Sequence, residues 1–345
     1  GFLDVNLDYY IKNTDDLIFQ RRTPPSSGVA LVTVNDGQLR NTGLEFDLKA
    51  QVIKHSGTGF NLELAVNGEY LKNEITTMPI DPATGAPKFL DNSNSPYGWT
   101  QGGSIYDFYL REWAGVNAAT GSGLWNQYYN DINADGIFNT GDVAIANLTN
   151  YMAVTDDVNL QQRVTDKYAD ATLKFVDKSA IPKVRGAFRM SATYKNFDIS
   201  SQFTYSLGGY AYDFTYANLM DDSQIGSNNW HTDVRGRWQQ PGDITDIPRL
   251  GSGADAGSES NSLSTRFLTK SDFLALNNLR LGYTVPDSFV KSAGFSKVNL
   301  FVTGDNLMFL SERKGFNPST SENGSSDTYT YSPLSTFTMG VRLEF

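Results

Sequence analysis

The 345 residues contain no cysteine and only two histidines. No disulfide framework, thiol nucleophile or zinc set can be built from such a chain. Basic residues are in the minority: 28 Lys and Arg stand against 38 Asp and Glu, giving a net charge of −10. That balance excludes the basic footprint of a nucleic-acid binder. No run of about 18 apolar residues occurs, so no transmembrane helix is expected. A mean hydropathy below zero fits a soluble protein, but a barrel with a polar lumen gives the same average.

What the chain does have is alternation. Phe337, Met339, Val341, Leu343 and Phe345 interleave with Thr338, Gly340, Arg342 and Glu344. Strand side chains point alternately to opposite faces, so this segment has one apolar wall and one polar wall. The pattern recurs over Leu3–Lys12, Leu44–Val52, Phe60–Tyr70, Val184–Tyr194 and Phe197–Leu207, and again around Leu279–Val285 and Val298–Val302. A period of two over eight segments predicts strands. Several runs reach twelve residues, enough for the 9–11 residues that a tilted strand needs to cross hydrocarbon. Aromatics at their ends (Phe2, Tyr9, Tyr10, Phe60, Tyr70, Tyr194, Phe197, Tyr205 and Tyr210) suit interfacial girdles.

The connections alternate in length. Short ones fall at 55–58, at Lys195-Asn196 and from Pro286 to Ser296; long ones run over 14–40, 75–181, 212–266 and 312–332. Antiparallel strands therefore put every short turn at one end and every long loop at the other, as in outer-membrane barrels. The expected fold is all-β, a transmembrane antiparallel barrel portion. The chain opens inside a strand with no export signal, and we read it as the C-terminal piece of a longer protein.

Three local features stand out. Asp131-x-Asn133-x-Asp135-Gly136, with Asp142 at the twelfth position, has the spacing of an EF-hand loop. Asp131, Asn133, Asp135, the Ile137 carbonyl and Asp142 are the candidate calcium ligands, with a role in stiffening the loop. An Asx-rich turn bonded to its own backbone is the competing reading, since Asp replaces the usual Glu and no helix flanks the loop. All five tryptophans (Trp99, Trp113, Trp125, Trp230 and Trp238) fall in the long loops, with Tyr128 and Tyr129 beside them. Flat rings there suit stacking on a substrate; loop packing or a protein interface is the alternative. Neither histidine sits in a nucleophile–base pattern and no carboxylate pair is marked out, so no enzyme is expected.

Beyond these, a series of motifs runs along the chain. It includes Asp8-Tyr9-Tyr10, Asn41-Thr42-Gly43-Leu44-Glu45, Trp113-Ala114-Gly115-Val116, Asp131-Ile132-Asn133-Ala134-Asp135-Gly136 and Ile181-Pro182-Lys183. Arg237-Trp238-Gln239-Gln240-Pro241-Gly242-Asp243, Leu279-Arg280-Leu281-Gly282-Tyr283, Thr303-Gly304-Asp305-Asn306-Leu307 and the terminal Phe345 complete it. In order and spacing the chain resembles the C-terminal barrel portion of SusC/RagA-type TonB-dependent transporters of Bacteroidota outer membranes. The resemblance implies about the last eight strands of a barrel of about 22. The plug domain and roughly the first two thirds of the barrel are absent from this sequence. It further implies a SusD-like surface lipoprotein partner, energy from the TonB system through the missing part, and import of an oligosaccharide or peptide. Phe337, Met339, Val341, Leu343 and Phe345 would form the signal read by the barrel assembly machinery, and deleting Phe345 is expected to impair insertion. Two other readings were open: a complete eight-stranded barrel acting as anchor or adhesin, and a secreted carbohydrate-binding β-protein.

Overall fold

The computed structural model describes the chain except residues 1, 23–27, 29–30, 55–58, 82–84, 92–94, 223–228, 252–257, 292–293, 322 and 327–330. Eight long strands form one sheet: β1 (Leu3–Thr14), β2 (Gln38–Ile53), β3 (Phe60–Thr77), β4 (Val184–Tyr194), β5 (Phe197–Leu207), β6 (Phe273–Thr284), β7 (Lys297–Ser311) and β8 (Thr336–Glu344). They lie side by side in chain order, and every neighbouring pair is antiparallel. These are the eight segments that the alternation marks. Several extend beyond it: β2 has 16 residues, β3 has 18 and β7 has 15, all longer than the 9–11 needed to cross hydrocarbon. Among the described residues β1 and β8 are not paired with each other, so the sheet is a stretch of barrel wall and not a closed barrel.

The two faces of the wall differ. Outward rows carry Leu3, Val5, Leu7, Tyr9 and Ile11 on β1, and Phe337, Met339, Val341 and Leu343 on β8; all are exposed. Near the short-turn end, Phe60, Tyr194, Phe197 and Tyr283 are register partners across four adjacent strands. Such a row is what an interfacial girdle requires. Two residues expected in the girdles sit elsewhere. Tyr10 is on the polar face and donates from its hydroxyl to Glu69 Oε1 at 2.6 Å. Tyr210 belongs to a separate pair, Tyr210–Tyr212 with Leu268–Lys270.

Close packing along the outer face depends on glycine. Gly68 and Gly186 are register partners, and the rings of Phe46 and Tyr205 close over them; the Tyr205 hydroxyl donates to the Asn67 carbonyl at 3.0 Å. A Cβ at Gly186 would overlap the backbone of Asn67 and Gly68, so only glycine keeps β3 and β4 at ladder distance there.

The turn at Lys195-Asn196 is tight, with Lys195 at φ 53°. The expected turn at 55–58 lies outside the described residues. The long connections are not irregular. Residues 15–37 hold a hairpin, Ile18–Arg22 with Leu31–Asn35. The 78–183 connection holds a sheet in which Gly123–Asn130 pairs with Trp113–Val116, Val143–Ile145 and Leu160–Thr165, and a second pair, Asp107–Arg111 with Leu173–Ser179. The larger hydrophobic core lies in this loop layer, and a smaller one joins Ile75, at the loop end of β3, to Met78. Phe108, Leu110, Val176 and Ala180 of one connection pack with Tyr212, Ala217, Met220, Val234 and Phe267 of the next.

Candidate functional site

The polar face of the wall is a lattice of paired charges. Asp8, Glu45, Glu69, Arg185 and Ser206 are successive register partners across β1 to β5. Acids side by side repel. Arg185 offsets this by reaching Glu69 at 2.8 Å, and Lys49 and Arg189 both approach Glu63, at 3.2 and 3.8 Å. Near the short-turn end Arg280 is ion-paired with Asp198 and donates to Asn299 Oδ1 at 2.7 Å, with its guanidinium 5.0 Å from the Phe301 ring centroid. Gly340 leaves room for that ring, since a Cβ there would run into it. Arg185, Arg189, Arg280 and Arg342 are thus all paired with acids, the last with Glu344 at 3.3 Å.

Two hollows lie against this face. One, of about 650 Å³, is lined by Asp8, Glu45, Asp47 and Glu69 with Arg185. The other, of about 670 Å³, is lined by Asn277, Asn306, Met308 and Arg313. Ser319, from the connection after β7, borders both. A surface of this kind, polar and alternating in charge, presents many hydrogen-bonding groups to a polar solute.

The loop tryptophans are built into the outer layer. Trp125 is fully enclosed; its ring meets Trp113 edge-on at 5.4 Å and Tyr168 at 5.7 Å. Tyr129 is also buried, against Phe138. Trp113 lies under the Arg266 guanidinium, whose pKa burial lowers to about 10. Trp99 and Trp238 donate from Nε1 to the carbonyls of Ile105 and Ala118, both at 2.9 Å, and Trp230 packs against the loop core. Tyr128 donates to Glu112 at 3.0 Å; its pKa is raised, by burial first and by Glu112 next. Five of the seven aromatics (Trp99, Trp113, Tyr128, Trp230 and Trp238) keep part of their surface open, whereas Trp125 and Tyr129 are closed off. The seven rings are spread over the layer and do not converge on one cleft.

At 131–142 the loop turns sharply through Ala134 (φ 57°) and Gly136 (φ 74°). Asp131 is buried and accepts from the Asp135 and Gly136 amides, at 3.3 and 2.8 Å. Asp142 accepts from the Ile132 and Asn139 amides, at 3.2 and 2.8 Å. Asp135 accepts from the Ile137 amide at 2.8 Å and from the side-chain amides of Asn133 and Asn139. Asn139 also donates to the Ile137 carbonyl at 3.0 Å. The donor set is all oxygen, as a hard cation needs, but here these oxygens hold N–H groups, the Asx-turn arrangement. Among the described residues no three acidic, histidine or cysteine side chains gather at metal-binding range.

The outward residues Phe337, Met339, Val341, Leu343 and Phe345 share one row, and the Phe345 ring lies 5.1 Å from Phe295. His231 accepts from the Asp233 amide at its Nδ1, capping a 3₁₀ turn. Sequence reading passed over the Asp213–Arg313 ion pair, which joins two loops a hundred residues apart. Spacing along the chain gives no signal for such a pair.

No protein-family model matches the chain. It is 27% identical to TonB-dependent receptor P3 of Formosa agariphila over 99% of its length and 32% of that protein's. It is 25% identical to TonB-dependent receptor SusC of Bacteroides thetaiotaomicron over 100% of its length and 30% of that protein's. Among solved structures, the RagAB peptide transporter superposes with a TM-score of 0.76 at 23% identity, covering 100% of this chain and 34% of that one. The open-open state of the RagAB peptide importer gives 0.73 at 22% identity. The chain thus spans about a third of the length of the relatives it matches. In sequence and in fold, it is similar from end to end to the C-terminal barrel portion of the SusC/RagA-type TonB-dependent transporters.

Proposed function

We propose that this chain forms barrel wall and outer loops of a TonB-dependent importer in a Gram-negative outer membrane. The observation that carries this reading is the wall itself: eight membrane-length strands in chain order, apolar outside and charge-paired inside. End-to-end similarity to TonB-dependent receptors supports it. The neighbouring parts of the protein would supply the plug and the TonB contact. The long loops would face outward and meet a SusD-like lipoprotein, and the cargo would be an oligosaccharide or a peptide, with no covalent step. Trp99, Trp113, Tyr128, Trp230 and Trp238 are the proposed ligand-contacting rings. Trp125 and Tyr129 could join them only if the layer opens. The outward row of β8 is the proposed assembly signal.

Deleting the gene and scoring growth on defined glycans and on defined oligopeptides as sole nutrients tests this. Loss of growth on one class, restored by the intact gene and not by a form unable to engage TonB, is expected. Unchanged uptake of every class overturns the import reading.

Calcium at 131–142 is part of the same proposal. Binding would replace the Asn139 contacts to Asp135 and Ile137 and stiffen the loop. Calcium in the 0.1–1 mM range usual for extracellular sites should slow proteolysis within 131–142, and Asp135→Ala should abolish the effect. Equal cleavage with calcium and with chelator removes the site.

A further inference from the structure

The connection between β7 and β8 does not stand away from the wall. It turns back over the polar face: Phe316, Pro318 and Gly324 are buried, and Ser319 borders both hollows. Its two legs converge on one residue. Asp213, itself buried, is ion-paired with Arg313 on the descending leg. The same carboxylate accepts from the Ser326 hydroxyl on the returning leg at 2.6 Å, and Ser326 in turn accepts from the Thr215 amide at 3.0 Å. Arg313 also stacks on the Tyr216 ring, 4.1 Å from its centroid. Between the legs, the Ser311 hydroxyl donates to the Phe316 carbonyl at 2.6 Å, and Gly324 sits against Ala211, Pro318 and Ser271.

We propose that residues 312–321 and 323–326 form an inward strap that narrows the passage along the wall, and that Asp213 is a clasp tying both of its legs. Phe316, Pro318 and Gly324 pack the strap down, and the clasp adds a buried carboxylate that binds one cation, the Ser326 hydroxyl and the Tyr216 amide, beside a backbone bridge between Asp213 and Ser326. A buried charged hydrogen bond contributes more than a surface contact, so loss of the Asp213 charge should weaken both legs at once. Opening would join the two hollows into one space bordered by Arg185 on one side and Asn277 on the other. This rests on the import reading for its purpose but not for its test.

Ser271 lies beneath Gly324 and is buried, and the 345 residues offer no competing thiol. The whole protein, purified in detergent, would carry Ser271→Cys as reporter, with the parent protein as labelling control. Maleimide should react slowly with the clasp intact. With Asp213→Asn it should react about tenfold faster or more, and with Ser326→Ala by an intermediate factor. Equal labelling in all three backgrounds overturns the strap. If Asp213→Asn fails to assemble, Ser326→Ala decides alone, because it leaves the ion pair in place. Labelling needs no transport, so it can fail while import stands, and the reverse.

Discussion

Trp125→Ala is expected to cost about 3–5 kcal/mol and to open the outer-loop sheet while leaving the wall intact. The ring is fully enclosed between Trp113 and Tyr168, and Gly123 is a glycine because a Cβ would strike both tryptophans. Truncation leaves a cavity that these rigid neighbours cannot fill. Trp125→Phe should be far milder, below about 1.5 kcal/mol, because the indole nitrogen has no hydrogen-bond partner among the described residues and its loss leaves nothing unpaired. Hydrogen exchange across Asn126–Asn130, a stretch in register with Leu160–Val164 whose Asn126 and Tyr128 amides donate to the Glu112 carbonyl and Thr172 Oγ1, reports the opening directly. Full protection in Trp125→Ala would mean the ring is no core residue and would return it to the ligand-contacting set.

Met339→Arg is expected to cost about 2–4 kcal/mol of bilayer stability and to lower the inserted fraction accordingly. Met339 is 84% exposed, sits midway along β8 and pairs with Val302, so the substitution places a cation at mid-depth on the outward face. The control is Thr336→Arg, on the polar face opposite Asp305, where a solvated cation finds an acid and should change stability by less than about 0.5 kcal/mol. Urea titration of the whole protein refolded into vesicles, read by heat-modifiable migration, separates the two. Equal losses would show that the outward face does not meet lipid.

The wall was legible from the sequence because each strand faces two solvents. A residue such as Val341 or Arg342 is chosen by the side it meets, and that choice repeats every second position. The loop layer was not legible to the same degree. Its strands are buried on more than one side, as in Asp107–Arg111, where Phe108, Tyr109 and Leu110 are all buried, and continuous burial erases the period. The burial of Trp125 and Tyr129 was hidden for the same reason: composition places rings in a loop but cannot tell whether the loop packs on itself. The Asp213 clasp was invisible because its partners, Arg313 and Ser326, are neighbours only after the wall has formed. At 131–142 the spacing was equally compatible with a cation and with an Asx turn, and the resolved hydrogen bonds describe the turn.

The strand from Phe273 also explains why only its second half was marked. Gln202 pairs with Asn278 but Phe203 pairs with Leu276, so Asn277 is a bulge, and its Oδ1 accepts from Thr204 Oγ1 at 2.8 Å. Leu274 and Leu276 keep one parity below it in number, and Leu279 and Leu281 the other, yet all four point outward. The bulge acts as a phase correction in an otherwise strict code. Were Asn277 drawn into the ladder as an ordinary residue, four residues would turn inside out, sending Leu274 and Leu276 into the passage and Phe273 and Ala275 toward the membrane. Indels are cheap in the connections of such a wall; inside a strand a single one reverses the sidedness of everything between it and the loop, unless it is taken up as a bulge like this one.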